Sequence, residues 1–69
     1  MNWINVMEQL PPIGTEIIIA MRNKNMGEDG IWLYDICEYY GGRIDRNDNW
    51  EGKVNWETPI YWAYINEPV

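Results

Sequence analysis

Residues 15–21 read "TEIIIAM", and the fold turns on how that stretch is taken. It is rich in β-branched side chains, which suit a pleated, half-buried surface, and it is too short for a helix of ordinary length. Read as a strand, it sends Ile17 and Ile19 to one side and Ile18 and Ala20 to the other. Apolar residues on both sides predict a central place in a sheet.

Working outward, Gly14 permits the bend that feeds this strand, and Leu10-Pro11-Pro12 before it predicts an ordered connection outside any ladder. After it comes "RNKNMGEDG", a polar segment ending in the Asp29-Gly30 turn signal. The next strand follows at Ile31–Tyr40, "IWLYDICEYY", with Trp32, Tyr34 and Ile36 on one side and Ile31, Leu33 and Cys37 on the other. The two strands predict a hairpin. Gly41-Gly42 then marks a tight turn, and Arg43-Ile44 a possible start of a return strand. Residues 45–52, "DRNDNWEG", read as a surface loop, residues 53–56 as a short strand, and "IYWAYI" at 60–65 as the last strand. The best chance of a helical turn is "VMEQL" near the N-terminus. The expected fold is mainly β: one domain over 1–69, a single antiparallel sheet of three to five strands, curled or barrel-like.

At 69 residues, the chain buries only about 60% of its unfolded surface and its core is thin. Five Trp and five Tyr with no Phe compensate, since each large ring buries about 150–250 Å². The same rings are those enriched in binding hot spots. Eleven acidic against five basic residues leave a net charge of −6. That opposes binding to a phosphate backbone and suits docking on a basic surface. A stacking platform for single strands, built from Trp32, Trp50, Trp56 and Trp62, would lack its basic groove, and core packing is the expected role of Trp32 and Trp62.

The chain has neither His nor Ser, which removes the common general base and the Ser-His-Asp and Cys-His arrangements. Cys37 stands alone, so no internal disulfide forms, and it is expected to be buried as a small hydrophobe. Asp45, Asn47 and Asn49 echo the start of a calcium loop. The Gly and the bidentate Glu that the pattern needs are Trp50 and Trp56 here. Asp45, Asp48 and Glu51 could be imagined as a glycosidase pair, but the sheet leaves little room for a sugar cleft. No cofactor or metal is expected, and no enzyme. Without a cationic leader or a long apolar run, the expected compartment is the cytoplasm.

One pattern spans most of the chain. "W-I-x-V-x-E-x-L-P-x-x-G", carried by Trp3, Ile4, Val6, Glu8, Leu10, Pro11 and Gly14, resembles the start of the DUF551 family of small phage and prophage proteins of undefined function. "EIIIA", the "YYGG" at Tyr39–Gly42 and the ending "YWAYINEPV" resemble the rest of that family's pattern. In the ending, Tyr61 stands for the usual His, Ala63 for Met and Asn66 for Pro; the match there rests on Trp62, Glu67 and Pro68. The shared residues read as structural. Trp3 and Trp62 would bracket the sheet and join the termini, and Trp3→Ala or Trp62→Ala is expected to cost about 3–5 kcal/mol.

The resulting expectation is a non-enzymatic, acidic phage or prophage protein that binds a host protein with a basic, nucleic-acid-binding surface. An inhibitor of a host defence system, such as an anti-CRISPR, is one concrete form. The expected contact residues are Asp45, Asp48, Trp50 and Glu51, with Glu28 and Asp29 secondary. Trp50 would be either an exposed anchor or a lid over the sheet. The alternative is a structural or regulatory accessory protein that forms homo-oligomers through a sheet edge.

Overall fold

The computed structural model describes residues 1–23 and 30–65. Five strands follow in chain order: β1 (Ile4–Asn5), β2 (Glu16–Asn23), β3 (Ile31–Tyr39), β4 (Trp50–Glu51) and β5 (Tyr61–Tyr64). They form one antiparallel sheet in the order β1-β5-β2-β3-β4, with β1 and β4 as its two edges. The sheet is open and does not close into a barrel. The "TEIIIAM" strand lies at its centre, as its two apolar sides predict, with β3 on one flank and β5 on the other.

The hairpin between β2 and β3 is fully in register, from Glu16 opposite Glu38 to Asn23 opposite Ile31. β5 returns along the other flank of β2, setting Trp62 beside Ile19, and receives β1 at Ile4. The two ends of the chain therefore meet in the sheet. Val6 N–H donates to the Ile60 carbonyl at 3.0 Å, which carries that contact one residue further.

Three local readings change. "VMEQL" makes a hydrogen-bonded turn, with Glu8 and Gln9 N–H donating to the Asn5 carbonyl at 3.0 and 3.1 Å. The Asn5 side chain accepts Met7 N–H at 2.8 Å, an Asx turn that competes with helix continuation. Among the described residues a 3-10 turn lies instead at Asn47–Asn49. Arg43-Ile44 starts no strand, because Gly41 and Gly42 take φ of +98° and +84° and turn the chain away; the return strand is β4. Residues 53–56 are irregular, their backbone held by side chains rather than by a ladder.

Among the described residues, only one side of the sheet is covered. Ile17, Ile19 and Met21 of β2, Cys37 and Tyr39 of β3, Trp50 of β4 and Trp62 of β5 form the core with Val6. Val6, the N-terminal segment to Gln9 and the irregular residues 53–55 pack on that side. Trp62 Nε1 donates to the Gln9 carbonyl at 2.8 Å, tying the N-terminal segment across the core. Trp50 stacks on Tyr39 with ring centres 4.7 Å apart, and its Nε1 donates to the Ile44 carbonyl at 3.1 Å.

The buried side includes two polar groups, Asp35 and Lys53. Asp35 accepts from Val54 N–H and Asn55 N–H, both at 3.0 Å, and from Asn55 Nδ2 at 3.2 Å. Lys53 Nζ donates to Asn47 Oδ1 and to the Asn55 carbonyl. Burial pushes the Lys53 ammonium below its ordinary range, while the nearby Asp35 charge pulls it back up. These bonds pin the irregular 53–55 segment against β3.

Candidate functional site

Strand alternation decides what the uncovered side displays. With Ile17, Ile19 and Met21 turned inward, β2 presents Glu16, Ile18, Ala20 and Arg22 outward. β3 presents Trp32, Tyr34, Ile36 and Glu38, β4 presents Glu51, and β5 presents Tyr61, while Ala20 and Ala63 face this side but are buried. Trp3, just before β1, packs on this side against Tyr34 with ring centres 6.0 Å apart.

The sheet thus covers the side of β3 that holds an aspartate and leaves open the side that holds a tryptophan, a tyrosine and an isoleucine. Trp32, Tyr34 and Ile36 are 39%, 53% and 57% exposed. Scattered apolar residues are normal on protein surfaces, but a contiguous patch marks a contact site. Two expectations are corrected here. Trp32 is a surface ring rather than a core residue, and Trp3, at 40% exposure, does not mirror the fully buried Trp62.

The rings form a shallow box. Ala20 is its floor, with Tyr34 directly across on β3 and Tyr61 directly across on β5. Trp32 leans on Tyr61, ring centres 5.9 Å apart, and Trp3 leans on Tyr34. Together they enclose about 220 Å³, room for one apolar side chain. Beyond Trp32, the Arg22 guanidinium lies 5.1 Å from that ring's centre, and Arg22 Nε is buried without a hydrogen-bond partner.

At the other end of the same side, Glu16, Glu38 and Glu51 stand side by side across β2, β3 and β4. Like charges directly opposite one another destabilise a sheet. Among the described residues no Lys or Arg forms an ion pair with any of them. Burial first, then the Glu51 and Glu38 charges, push the Tyr40 hydroxyl above its ordinary range.

The loop expected to make contact is different in character. Arg43 grips Asp45 through two hydrogen bonds, at 3.0 and 2.7 Å, and Arg46 Nε lies 3.5 Å from Asp48. The Arg43 bonds hold the Asp45 carboxyl below the usual range. The loop therefore neutralises its own carboxylates. Trp50 is a correction of the same kind: at 6% exposure it is a core lid, not an anchor on the surface. Its ring leaves the loop because β4 pairs with β3 there and turns it toward Tyr39. The exposed ring beside Asp45 and Asp48 is Trp56, at 84%. Glu51 belongs with the carboxylate row instead. Glu28 and Asp29 lie outside the described residues.

Other arrangements come apart in space. Trp50 and Trp62 are core residues, so the four-Trp stacking platform is not assembled. Asp45, Asn47 and Asn49 are engaged by Arg43, by Lys53 and by the Arg43 carbonyl in turn, and do not converge as a calcium loop. Among the described residues no group of three His, Cys, Asp or Glu could hold a metal ion. Cys37 is buried as expected; burial first, then the Asp35 charge, pushes its thiol up to about 12. No helix among the described residues is long and apolar enough to cross a membrane.

Neither a family model, nor a curated protein, nor a solved structure matches the chain. Its functional reading rests on its own residues.

Proposed function

We propose that the chain is a non-enzymatic binding module that occupies a basic, apolar-edged surface of another protein through the open side of its sheet. The observation that carries this reading is the choice of buried side. A thin core gains most from covering its rings, yet Trp32, Tyr34 and Ile36 stay out while Asp35 goes in. Exposing such rings costs the free protein burial energy, about 25 cal/mol per Å² of apolar surface left in water. The carboxylate row beside them adds repulsion. Both costs are recovered when a partner supplies apolar contact and cations.

The charge of −6 supports the same class of partner and opposes self-association, since a second copy brings the same charge and the same row. The missing His and Ser, and the buried thiol, support a non-catalytic role. The resemblance to small phage and prophage proteins makes a host protein with a basic nucleic-acid channel, in the bacterial cytosol, the natural target. A defence effector is one such protein.

The test is capture of partners from bacterial lysate by the tagged chain, washed at low and high salt. Three baits are compared: the parent chain, Glu16→Lys with Glu38→Lys, and Asp45→Asn with Asp48→Asn. A basic partner kept by the loop variant, lost by the sheet variant and weakened by salt supports the reading. A partner lost only by the loop variant moves the contact surface to residues 45–48. Recovery of the chain alone favours assembly of like copies.

A further inference from the structure

We infer that the outer edge of β3, at Trp32 and Tyr34, accepts an added antiparallel strand: an extended segment of a partner, β-branched along its length and basic at its N-terminal end. The inference rests on the binding-module reading and names the form of the contact.

Two hydrogen bonds fix which way the backbone of β3 points. Ile60 N–H donates to the Ala20 carbonyl at 2.8 Å, so the even residues of β2 turn their backbone groups toward β5 and the odd ones toward β3. On the far flank, Tyr40 N–H donates to the Asn49 carbonyl at 2.8 Å. Both bonds set the same phase. Leu33, Asp35 and Cys37 bond to β2, while Trp32, Tyr34, Ile36 and Glu38 turn their N–H and C=O groups outward. β4 takes up only Glu38 and Tyr39. Gly52 then approaches the Ile36 carbonyl, where a Cβ would come within 3.0 Å, and Asp35 draws Val54 and Asn55 to the covered side. Among the described residues no strand pairs with Trp32 or Tyr34 along this edge.

Proteins commonly blunt such an edge with Lys, Pro, a bulge or an inward charge. Residues 31–36, "IWLYDI", carry no Lys or Pro, and their register with β2 is unbroken. Asp35 points inward but is already held by Val54 and Asn55 N–H. The rings of Trp32 and Tyr34 lean the other way, across β2 to Tyr61 and Trp3, and so do not fold over the edge.

Backbone groups in a row recognise an extended chain, because a helix has spent its own N–H and C=O groups internally. Every strand pair in the sheet is antiparallel, and an antiparallel newcomer runs from the Ile36 end to the Trp32 end. Its N-terminal end therefore arrives beside Glu38 and Glu51. A residue opposite Ile36 lies about 7 Å diagonally from Glu38. Lys or Arg there meets carboxylates that pair with no cation among the described residues. Opposite Tyr34 and Trp32, β-branched side chains suit the aromatic neighbours. A second copy is the poorer occupant, since it brings a further charge of −6.

The experiment uses the full chain and capped six-residue peptides, with NMR amide shifts and hydrogen exchange read at millimolar peptide. The first peptide is Lys-Thr-Val-Thr-Val-Thr, which sets Lys opposite Ile36 and Val opposite Tyr34 and Trp32. The second has the same residues in reverse order. Two more carry N-methyl groups on the first sequence, at both Val nitrogens or at the first two Thr nitrogens. The inference expects slowed exchange at the Trp32 and Tyr34 amides. The Lys-first peptide should bind about two- to fivefold tighter than the Lys-last one, the size of an exposed charge pair. Methylated Val should abolish binding, since those N–H groups face β3; methylated Thr, whose nitrogens face away, should keep it.

No slowing at either amide overturns the edge. Equal binding of the two methylated peptides overturns it as well, because contact is then through side chains alone. Equal binding of the Lys-first and Lys-last peptides overturns the directed, basic occupant. Slowing that grows with chain concentration in the absence of peptide gives the edge to a second copy and overturns the partner strand. If the edge fails while Glu16→Lys with Glu38→Lys still releases a captured partner, the open side of the sheet stands without it.

Discussion

At the residue scale, the five tryptophans divide by what surrounds their N–H groups and faces. Trp62 and Trp50 each reach a backbone carbonyl across the core, at 2.8 and 3.1 Å, so their burial leaves no donor unsatisfied. Trp3, Trp32 and Trp56 remain at the surface. The alternation of β2 and β3 was legible, because isoleucine spacing alone places Ile17 with Ile19. Which side would be covered was not. Counting apolar residues on β3 favours burying Trp32, Tyr34 and Ile36 over a side that contains Asp35. The outcome depends on Asp35 finding Val54 and Asn55 twenty residues on, a contact that no local pattern encodes. Asp35→Ala is accordingly expected to cost about 2–4 kcal/mol in urea melts, because it orphans two backbone N–H groups. Under about 1 kcal/mol would mean that the 53–55 segment is held by other means.

Cys37 gives a prediction of opposite kind. Its thiol is pushed up to about 12 in the folded chain, well above an unfolded thiol. Between those values the folded state holds a proton that the unfolded state has lost. This contribution to stability is full below about pH 8.5 and falls as pH rises. Relative to Cys37→Ala, the parent should lose up to about 1.4 kcal/mol per pH unit above that point. Lys53 has the opposite trend in both proteins, its lowered folded value making stability rise with pH until an unfolded lysine deprotonates, so apart from its coupling to the Cys37 thiolate it drops out of the comparison. Parallel pH profiles would contradict the burial of the thiol.

At the element scale, the hairpin and its register follow from two strong strand patterns joined by a polar segment. β1, β4 and the irregular residues around 53–56 were less legible, since two-residue strands carry no periodicity. β4 exists because Trp50 finds Tyr39, and β1 because Ile4 finds Trp62. Short edges of this kind blunt strand addition between copies. The glutamate row is also a property of pairing rather than of any one strand. Glu16, Glu38 and Glu51 look unremarkable in sequence and become neighbours only in register. Glu38→Lys turns two repulsive cross-strand pairs into attractive ones and should stabilise the fold by about 1 kcal/mol, at about 0.2–1 kcal/mol per pair. The same change should weaken partner capture. A variant that is less stable than the parent would show that the row is not strained.

At the scale of the whole molecule, the sheet is half a sandwich: one side closed by loops, the other open, aromatic at one end and acidic at the other. In sequence, compactness and acidity point to a contact surface, and the polar loop at 45–52 stands out because four charged residues fall within seven positions. In space those charges are balanced by Arg43 and Arg46, whereas Glu16, Glu38 and Glu51, which pair with no cation among the described residues, lie on strands. Charge patterning along a chain and charge patterning on a surface are different quantities, and only pairing relates them.

The central claim is that the two sides of the sheet have different purposes, one for stability and one for contact. Urea melts of Trp62→Ala and Trp32→Ala test it most directly. The account predicts a loss of about 3–5 kcal/mol for Trp62, the range for large aromatic truncations in cores. It predicts about 1 kcal/mol for Trp32, which loses only cross-strand contact and the Arg22 cation. Equal, large losses for both would show that the open side is packing after all, and the binding surface would have to be sought elsewhere.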